Sequence, residues 1–223
     1  VLKLKYLARR GIAGVGMNIA LTLVIAYLLG SIPFAYIIGR INGIDIRNIG
    51  DRNVGAFNVF RHLGFGPGFA TVILDMAKGA GTIFLARILE VPEIVIFAAG
   101  LVAVIGHIWP VFLKFKGGRG EATIIGILFA LVPWQIAITF IAALIVLFTT
   151  YNSIWVGMTL FIPLPFICLL SYFTMQQPSI GTIIYTVLLP CVSGISHWIT
   201  TKRLSTEGKK ESETFWIANQ KNH

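Results

Sequence analysis

Lys114-Phe115-Lys116-Gly117-Gly118-Arg119-Gly120 closes one long apolar segment and opens the next. A cationic, glycine-rich turn held between two apolar runs is the mark of a loop joining membrane helices. Upstream, another apolar segment ends in a second polar loop, Arg47-Asn48-Ile49-Gly50-Asp51-Arg52-Asn53-Val54-Gly55-Ala56-Phe57-Asn58-Val59-Phe60-Arg61. Glycines let backbone N–H groups approach a phosphate, and cationic side chains balance its charge. Two such loops point to an anion site at a membrane surface. The Lys114–Gly120 loop feeds a helix starting near Glu121, whose N-terminus offers unpaired N–H groups and partial positive charge.

Composition sets the frame. The 223 residues are 56% hydrophobic and 12% charged, about half the charge of a soluble domain. The apolar residues come in long runs, so the chain reads as an all-α, polytopic integral membrane protein with room for one bundle. The net charge of +9 fits the positive-inside rule better than a nucleic-acid partner, and no nucleic-acid binding is expected. Cys168 and Cys191 sit in apolar runs as packing residues, and four scattered His give no metal-ligand spacing. The Gly-x4-Gly-Lys-Ser/Thr spacing of a nucleotide-binding loop and the Gly-x-Ser-x-Gly of a hydrolase are both absent from the sequence.

Seven segments are expected, over 17–39, 67–89, 94–114, 121–132, 134–150, 154–173 and 180–199. The fourth is short for a full span and is separated from the fifth at Pro133. Seven spans put loops 40–66, 115–120 and 151–153 and the tail on one face. That face carries Arg40, Arg47, Arg52, Arg61, Lys114, Lys116, Arg119, Lys202 and Arg203, so it is the cytoplasmic one. Residues 17–203 form the membrane domain and 204–223 a polar cytoplasmic tail, ending as a short interfacial helix or without fixed structure. Val1–Gly16, with Lys3, Lys5, Arg9 and Arg10, falls on the outside against the charge rule. We therefore expect Met17 to be the start and residues 1–16 an over-extended reading frame; an unusual tail or a different span count are the alternatives.

Four further residues stand out. Asp75 and Lys78 lie at i, i+3 within the second segment, either as a self-satisfying pair or as support for a substrate site. His107, before the Lys114–Gly120 loop, reads as a hydrogen-bonded packing residue. His197 lies at the end of the last segment, before Lys202 and Arg203, where it could meet an anion or a reacting hydroxyl.

Together these stretches resemble the bacterial acyl-phosphate:glycerol-3-phosphate acyltransferase family. The residues that carry the resemblance are Gly30-Ser31-Ile32-Pro33-Phe34, Gly43-Ile44-Asp45-Ile46-Arg47, Asn53 through Arg61, Leu74-Asp75-Met76-Ala77-Lys78-Gly79, and Gly106-His107-Ile108-Trp109-Pro110 through Ala122-Thr123. The resemblance implies about seven transmembrane helices in a bacterial plasma (inner) membrane, with the motif loops cytoplasmic. It implies transfer of a fatty acyl group from acyl phosphate to the 1-hydroxyl of glycerol 3-phosphate, giving lysophosphatidic acid. No metal or organic cofactor is implied, and an enzyme that makes acyl phosphate becomes a possible partner. The acyl phosphate is a mixed anhydride with a stable leaving anion, so positioning and charge stabilisation can supply most of the rate.

Carried onto this chain, the resemblance assigns phosphate binding to Arg61 and Arg119, assisted by Lys116 and the N–H groups of Gly117, Gly118, Arg119 and Gly120. Asn53, Gly55 and Asn58 shape or line the first loop, Ser153 matches a substrate-contacting position, and His197 positions or deprotonates the acceptor hydroxyl. The chain also departs from the family. Asp51 stands where a serine is usual, Phe57 replaces Thr, Arg119 replaces Lys, Glu121 replaces Val, Thr150 replaces Arg and Thr200 replaces Asn. Asp51 should repel phosphate unless it pairs with Arg52, Arg61 or Arg119; otherwise it serves as a base. The rival readings are a non-catalytic homologue that binds phospholipid or a partner, and a small-anion transporter. The transporter is disfavoured because the sequence shows no repeat and its polar motifs gather at one surface.

Overall fold

Apolar runs fold as helices where the bilayer withholds water from the backbone, and prolines set the breaks between them. The computed structural model describes residues 2–150 and 153–220, with side chains for 16–150, 155–202 and 206. Among the described residues it contains helices and no strand. These are α1 (Leu2–Ser31), α2 (Phe34–Ile41), α3 (Ala56–Leu63), α4 (Phe65–Ile88), α5 (Glu93–Ile108), α6 (Glu121–Leu131), α7 (Pro133–Thr150), α8 (Ser153–Phe161), α9 (Leu164–Met175) and α10 (Ile180–Gln220). Short 3-10 turns lie at Ile46–Asn48 and Val111–Leu113.

Among the described residues, six stretches are long and apolar enough to cross a membrane: Gly16–Ile41, Phe65–Ile88, Glu93–Leu113, Pro133–Thr150, Trp155–Met175 and Ile180–Lys202. The expected fourth segment is α6, which at 11 residues spans about 16 Å, roughly half the hydrocarbon thickness. Its break from α7 falls at Val132, next to Pro133 as expected. Two other segments expected to be continuous are broken. The first parts at Ile32-Pro33 into α1 and α2, and the sixth parts at Ile162-Pro163 into α8 and α9. In each case the proline lacks an N–H and its ring displaces the preceding turn. The last helix does not stop near residue 199 but runs to Gln220, so much of the expected tail is continuous with it. At the other end, α1 is unbroken through Gly16–Met17.

Close approach holds the bundle together. A Cβ on Gly126 of α6 would collide with the Met76 carbonyl of α4, and one on Gly30 of α1 with the Ala103 carbonyl of α5. Small residues at helix crossings let backbones approach where lipid offers no competing hydrophobic drive. The core between α4, α5, α6, α7, α9 and α10 is filled by Ile83, Val104, Ile127, Leu128, Ile136, Leu164 and Leu189. Outward stripes such as Ile138, Ile141, Ile145 and Phe148 on α7, or Phe166, Leu170 and Phe173 on α9, remain exposed at helical spacing, where lipid covers them.

The bundle has two distinct ends. At one, Ser179 Oγ donates to Glu93 Oε1 at 2.7 Å, and Tyr185 Oη donates to the Phe97 carbonyl at 2.8 Å, tying the start of α10 to the start of α5. At the other, a satellite core of Ala35, Ile38, Ile46, Val54, Val59 and Leu113 packs the first loop onto the entrance of the second.

Candidate active site

The first loop is built from its own polar side chains. Asp45 accepts from the Arg47 N–H at 3.1 Å and from the Arg47 guanidinium at 2.9 and 2.6 Å. The hydrogen-bonded guanidinium holds the Asp45 carboxyl below its usual range. Arg47 in turn lies 4.6 Å from the Tyr36 ring centre, closing the loop onto α2. Asn58 is buried, and its Nδ2 donates to the carbonyls of Ile46, Ile49 and Asn53, each at 3.1 Å. Of the roles open to Asn58, the geometry supports shaping the loop; its amide has no donor left for substrate. Gly55 stands at the N-cap of α3 and lies against Asn53.

The second loop folds differently from the open row of amides expected of it. Gly117 N–H donates to the Ile108 carbonyl at 3.0 Å and Gly118 N–H to the His107 carbonyl at 3.2 Å. These bonds satisfy carbonyls freed at the end of α5. The expectation that the N–H groups of Gly117 and Gly118 serve an anion is therefore corrected: both are spent on α5. Among the described residues, the N–H groups of Arg119 and Gly120 and those opening α6 carry no such bond, which leaves the start of α6 as the end of this loop with amides free to meet an anion. Gly120 supports this with a left-handed conformation, φ 88°, that few other residues take without strain.

The loops meet across Asp51 and Arg119, whose Oδ2 and Nη2 are 3.5 Å apart. That is long for a hydrogen bond, so the attraction is mainly coulombic. Of the three arginines open to Asp51, the geometry brings Arg119. Asp51 also accepts from the Asn53 N–H at 3.2 Å. His197 of α10 is partly buried and feels the opposed charges of Arg119 and Asp51, which brings it within electrostatic reach of the two loops. Two buried polar atoms here have no partner among the described residues: Asn53 Oδ1 and Arg119 Nε. Unsatisfied groups of this kind are rare in a native core. Arg61 is exposed on α3, and Lys116 is exposed on the second loop. Ser153 opens α8, but its side chain lies outside the described residues.

Behind the second loop sits a buried polar cluster whose role the sequence leaves open. Asp75 and Lys78 pair at 2.8 Å, both side chains 2% exposed. Lys78 Nζ also donates to the Ile32 carbonyl at 2.7 Å, within the break between α1 and α2. His107 Nδ1 lies 3.2 Å from Thr123 Oγ1 and 3.6 Å from Asp75 Oδ1. Sequence reasoning quotes Thr123 at the end of the glycine-rich stretch but gives it no role; its burial against the His107 ring is what the structure adds.

Comparison with known proteins gives this geometry a context. Residues 20–207 match the family model described as glycerol-3-phosphate acyltransferase. A glycerol-3-phosphate acyltransferase 4 of Dehalococcoides mccartyi is 38% identical over 184 residues, covering 82% of this chain and 97% of the relative. A glycerol-3-phosphate acyltransferase of Endomicrobium trichonymphae is 36% identical over 87% of this chain and 96% of its own. The fold is similar to two crystal structures of PlsY (YgiH), an integral membrane glycerol 3-phosphate acyltransferase. Its glycerol 3-phosphate form has a TM-score of 0.67 at 32% identity, and its lysophosphatidic acid form 0.66 at 30%. Each comparison covers 85% of this chain and 92% of the other.

Proposed function

The chain belongs to the glycerol-3-phosphate acyltransferase family, and from that premise we propose that it transfers a fatty acyl group from an acyl phosphate to the 1-hydroxyl of glycerol 3-phosphate, releasing lysophosphatidic acid. The observation that carries this reading is the meeting of Asp51 and Arg119, one from each polar loop, at the start of α6 and at one end of a multi-span bundle, with His197 of α10 within reach of their charges. There a water-soluble phosphate ester and a membrane-borne acyl chain can reach one another. The lipid-facing helices leave the acyl chain in the bilayer while its phosphate reaches the polar end.

The chemistry is acyl transfer without a covalent enzyme intermediate. The acceptor hydroxyl oxygen attacks the acyl carbonyl carbon and a new C–O ester bond forms. The bond from that carbon to the phosphate oxygen breaks, its electron pair leaving with inorganic phosphate. The hydroxyl proton passes to His197 or to the departing phosphate. Arg119 and the amides opening α6 balance phosphate charge, with Arg61 and Lys116 adding positive potential from exposed positions. Purified protein in lipid nanodiscs, given palmitoyl phosphate and glycerol 3-phosphate, should yield lysophosphatidic acid by mass spectrometry. No product from folded protein would overturn the reading.

One observation favours a second reading, a non-catalytic homologue that binds phospholipid or a partner. Asp51 occupies the arginine that substrate would need. Asp51→Ser tests this, because it removes the competing carboxylate and frees Arg119. Glycerol 3-phosphate should then bind about tenfold more tightly, the scale of one charge-assisted contact. A loss of activity in Asp51→Ser would instead make Asp51 the base for the acceptor hydroxyl. Inactivity of both forms, with intact folding, would favour the non-catalytic reading.

We place the site end of the bundle in the cytoplasm and the protein in a bacterial plasma membrane. Arg40, Arg47, Arg61, Lys114, Lys116, Arg119 and Lys202 gather at that end, against Arg87 with Glu90 and Glu93 at the other. A soluble phosphate ester and an acyl-phosphate-producing partner enzyme would both be met on that side. In a background lacking Cys168 and Cys191, Asn48→Cys should react with an impermeant maleimide only from the cytoplasmic side, and Glu93→Cys only from outside. The reverse pattern would invert the placement.

A further inference from the structure

We propose that His107 and Thr123 are positioning residues for acyl transfer, fixing the second loop and the start of α6 from behind without touching substrate. The proposal rests on the acyltransferase reading and adds a device to it.

The buried cluster touches three pieces of backbone around the site: the α1–α2 break, the second loop and the start of α6. Through Lys78 it holds the Ile32 carbonyl, at the break that leads into the first loop. Such a break frees carbonyls inside the membrane, and a buried ammonium is a strong donor to one of them. Through its own carbonyl, His107 holds the Gly118 N–H. Through its ring, His107 reaches Thr123 in the first turn of α6, at 3.2 Å. The ring's other nitrogen faces Gly118, where a Cβ would lie 2.5 Å from Nε2. The ring therefore sits between the end of α5 and the start of α6 and sets the distance between them. Asp75 stands behind it, 3.6 Å from Nδ1, with its own charge balanced by Lys78.

Arg119 and Gly120, whose amides are open, lie between two clamped points, Gly118 and Thr123. Loosening either clamp lets those amides and the Arg119 guanidinium drift, and small misplacements near reacting atoms cost much rate. A cluster that only held the fold would lower stability and leave the kinetics of the folded fraction alone.

Thr123→Val removes the hydroxyl at nearly constant shape, Thr123→Ser keeps it, and His107→Gln keeps a polar group without the ring. Each is made in the full chain in nanodiscs and followed by hydrogen exchange, steady-state kinetics and thermal unfolding. Thr123→Val should speed exchange of the Gly117 and Gly118 amides about tenfold and raise the KM for glycerol 3-phosphate about tenfold, with a smaller fall in kcat. Its unfolding temperature should hold, and Thr123→Ser should restore both readings. Exchange and KM within twofold of the parent in Thr123→Val would overturn the proposal, as would a lowered unfolding temperature with unchanged kinetics. If His107→Gln fails to fold, Thr123→Val carries the test. If the parent makes no lysophosphatidic acid, the acyltransferase reading fails and the exchange rates alone decide the clamp.

Discussion

Gly118→Ala should lower kcat/KM for acyl transfer by about a hundredfold in protein that still folds. The added methyl has nowhere to go. It would overlap the Val54 carbonyl of the first loop and lie 2.5 Å from His107 Nε2. Neither neighbour is the loose end of a flexible side chain. One is backbone of a packed loop and the other is a ring held on its far side by Thr123. The loop must therefore back away, carrying Arg119 off Asp51 and stretching the Gly118 bond to α5. Gly81→Ala is the matched control, since a Cβ there meets nothing within 4 Å. It should leave kinetics unchanged. Equal, near-parental activity in the two variants would show that the loop does not need its observed position.

Arg119→Ala should raise the apparent constant for a phosphate substrate by ten- to a hundredfold, from loss of a charge-assisted contact of about 1.5–3 kcal/mol. A second effect adds to the first. Without Arg119, the Asp51 carboxylate faces incoming phosphate with its observed counter-ion gone. The double variant Asp51→Ser with Arg119→Ala should therefore recover part of the loss. Arg119→Lys keeps the charge but not the two-pronged geometry, and should fall between. Arg61→Ala should raise the same constant, by less, because Arg61 is exposed on α3 and screened by solvent. Unchanged kinetics in both alanine variants would remove the arginines from the site.

Much of this molecule is legible in its sequence. Apolar runs and their cationic loops give the helical membrane class, and the length of the fourth segment already marks it as less than a full span. The polar loops read as one site, and Asp51 reads as needing an arginine. What the sequence does not carry is direction. It shows that Gly117 and Gly118 permit close approach, but not that their N–H groups turn back to α5. It shows an asparagine at 58, but not that three carbonyls converge on it. Asp75 and Lys78 are visible as a pair because i, i+3 is a local relation on one helix. Their links to Ile32, His107 and Thr123 join four separate stretches of chain and leave no local pattern. Pro33 and Pro163 are plain in the sequence, yet the breaks they make are hidden inside strongly apolar runs, where hydropathy outweighs a single residue. The last helix continues past its apolar part because the backbone bonds that form it do not require lipid around them.

In the proposed mechanism, Arg119 and the start of α6 hold a substrate phosphate where the two loops and α10 meet. A crystal structure with glycerol 3-phosphate bound would read this out atom by atom. Phosphate oxygens should lie within hydrogen-bonding distance of the Arg119 guanidinium and of the Gly120 or Glu121 N–H. Arg119 should be drawn away from Asp51, and the 1-hydroxyl should turn toward His197. Phosphate bound elsewhere, with Arg119 still facing Asp51, would contradict the mechanism.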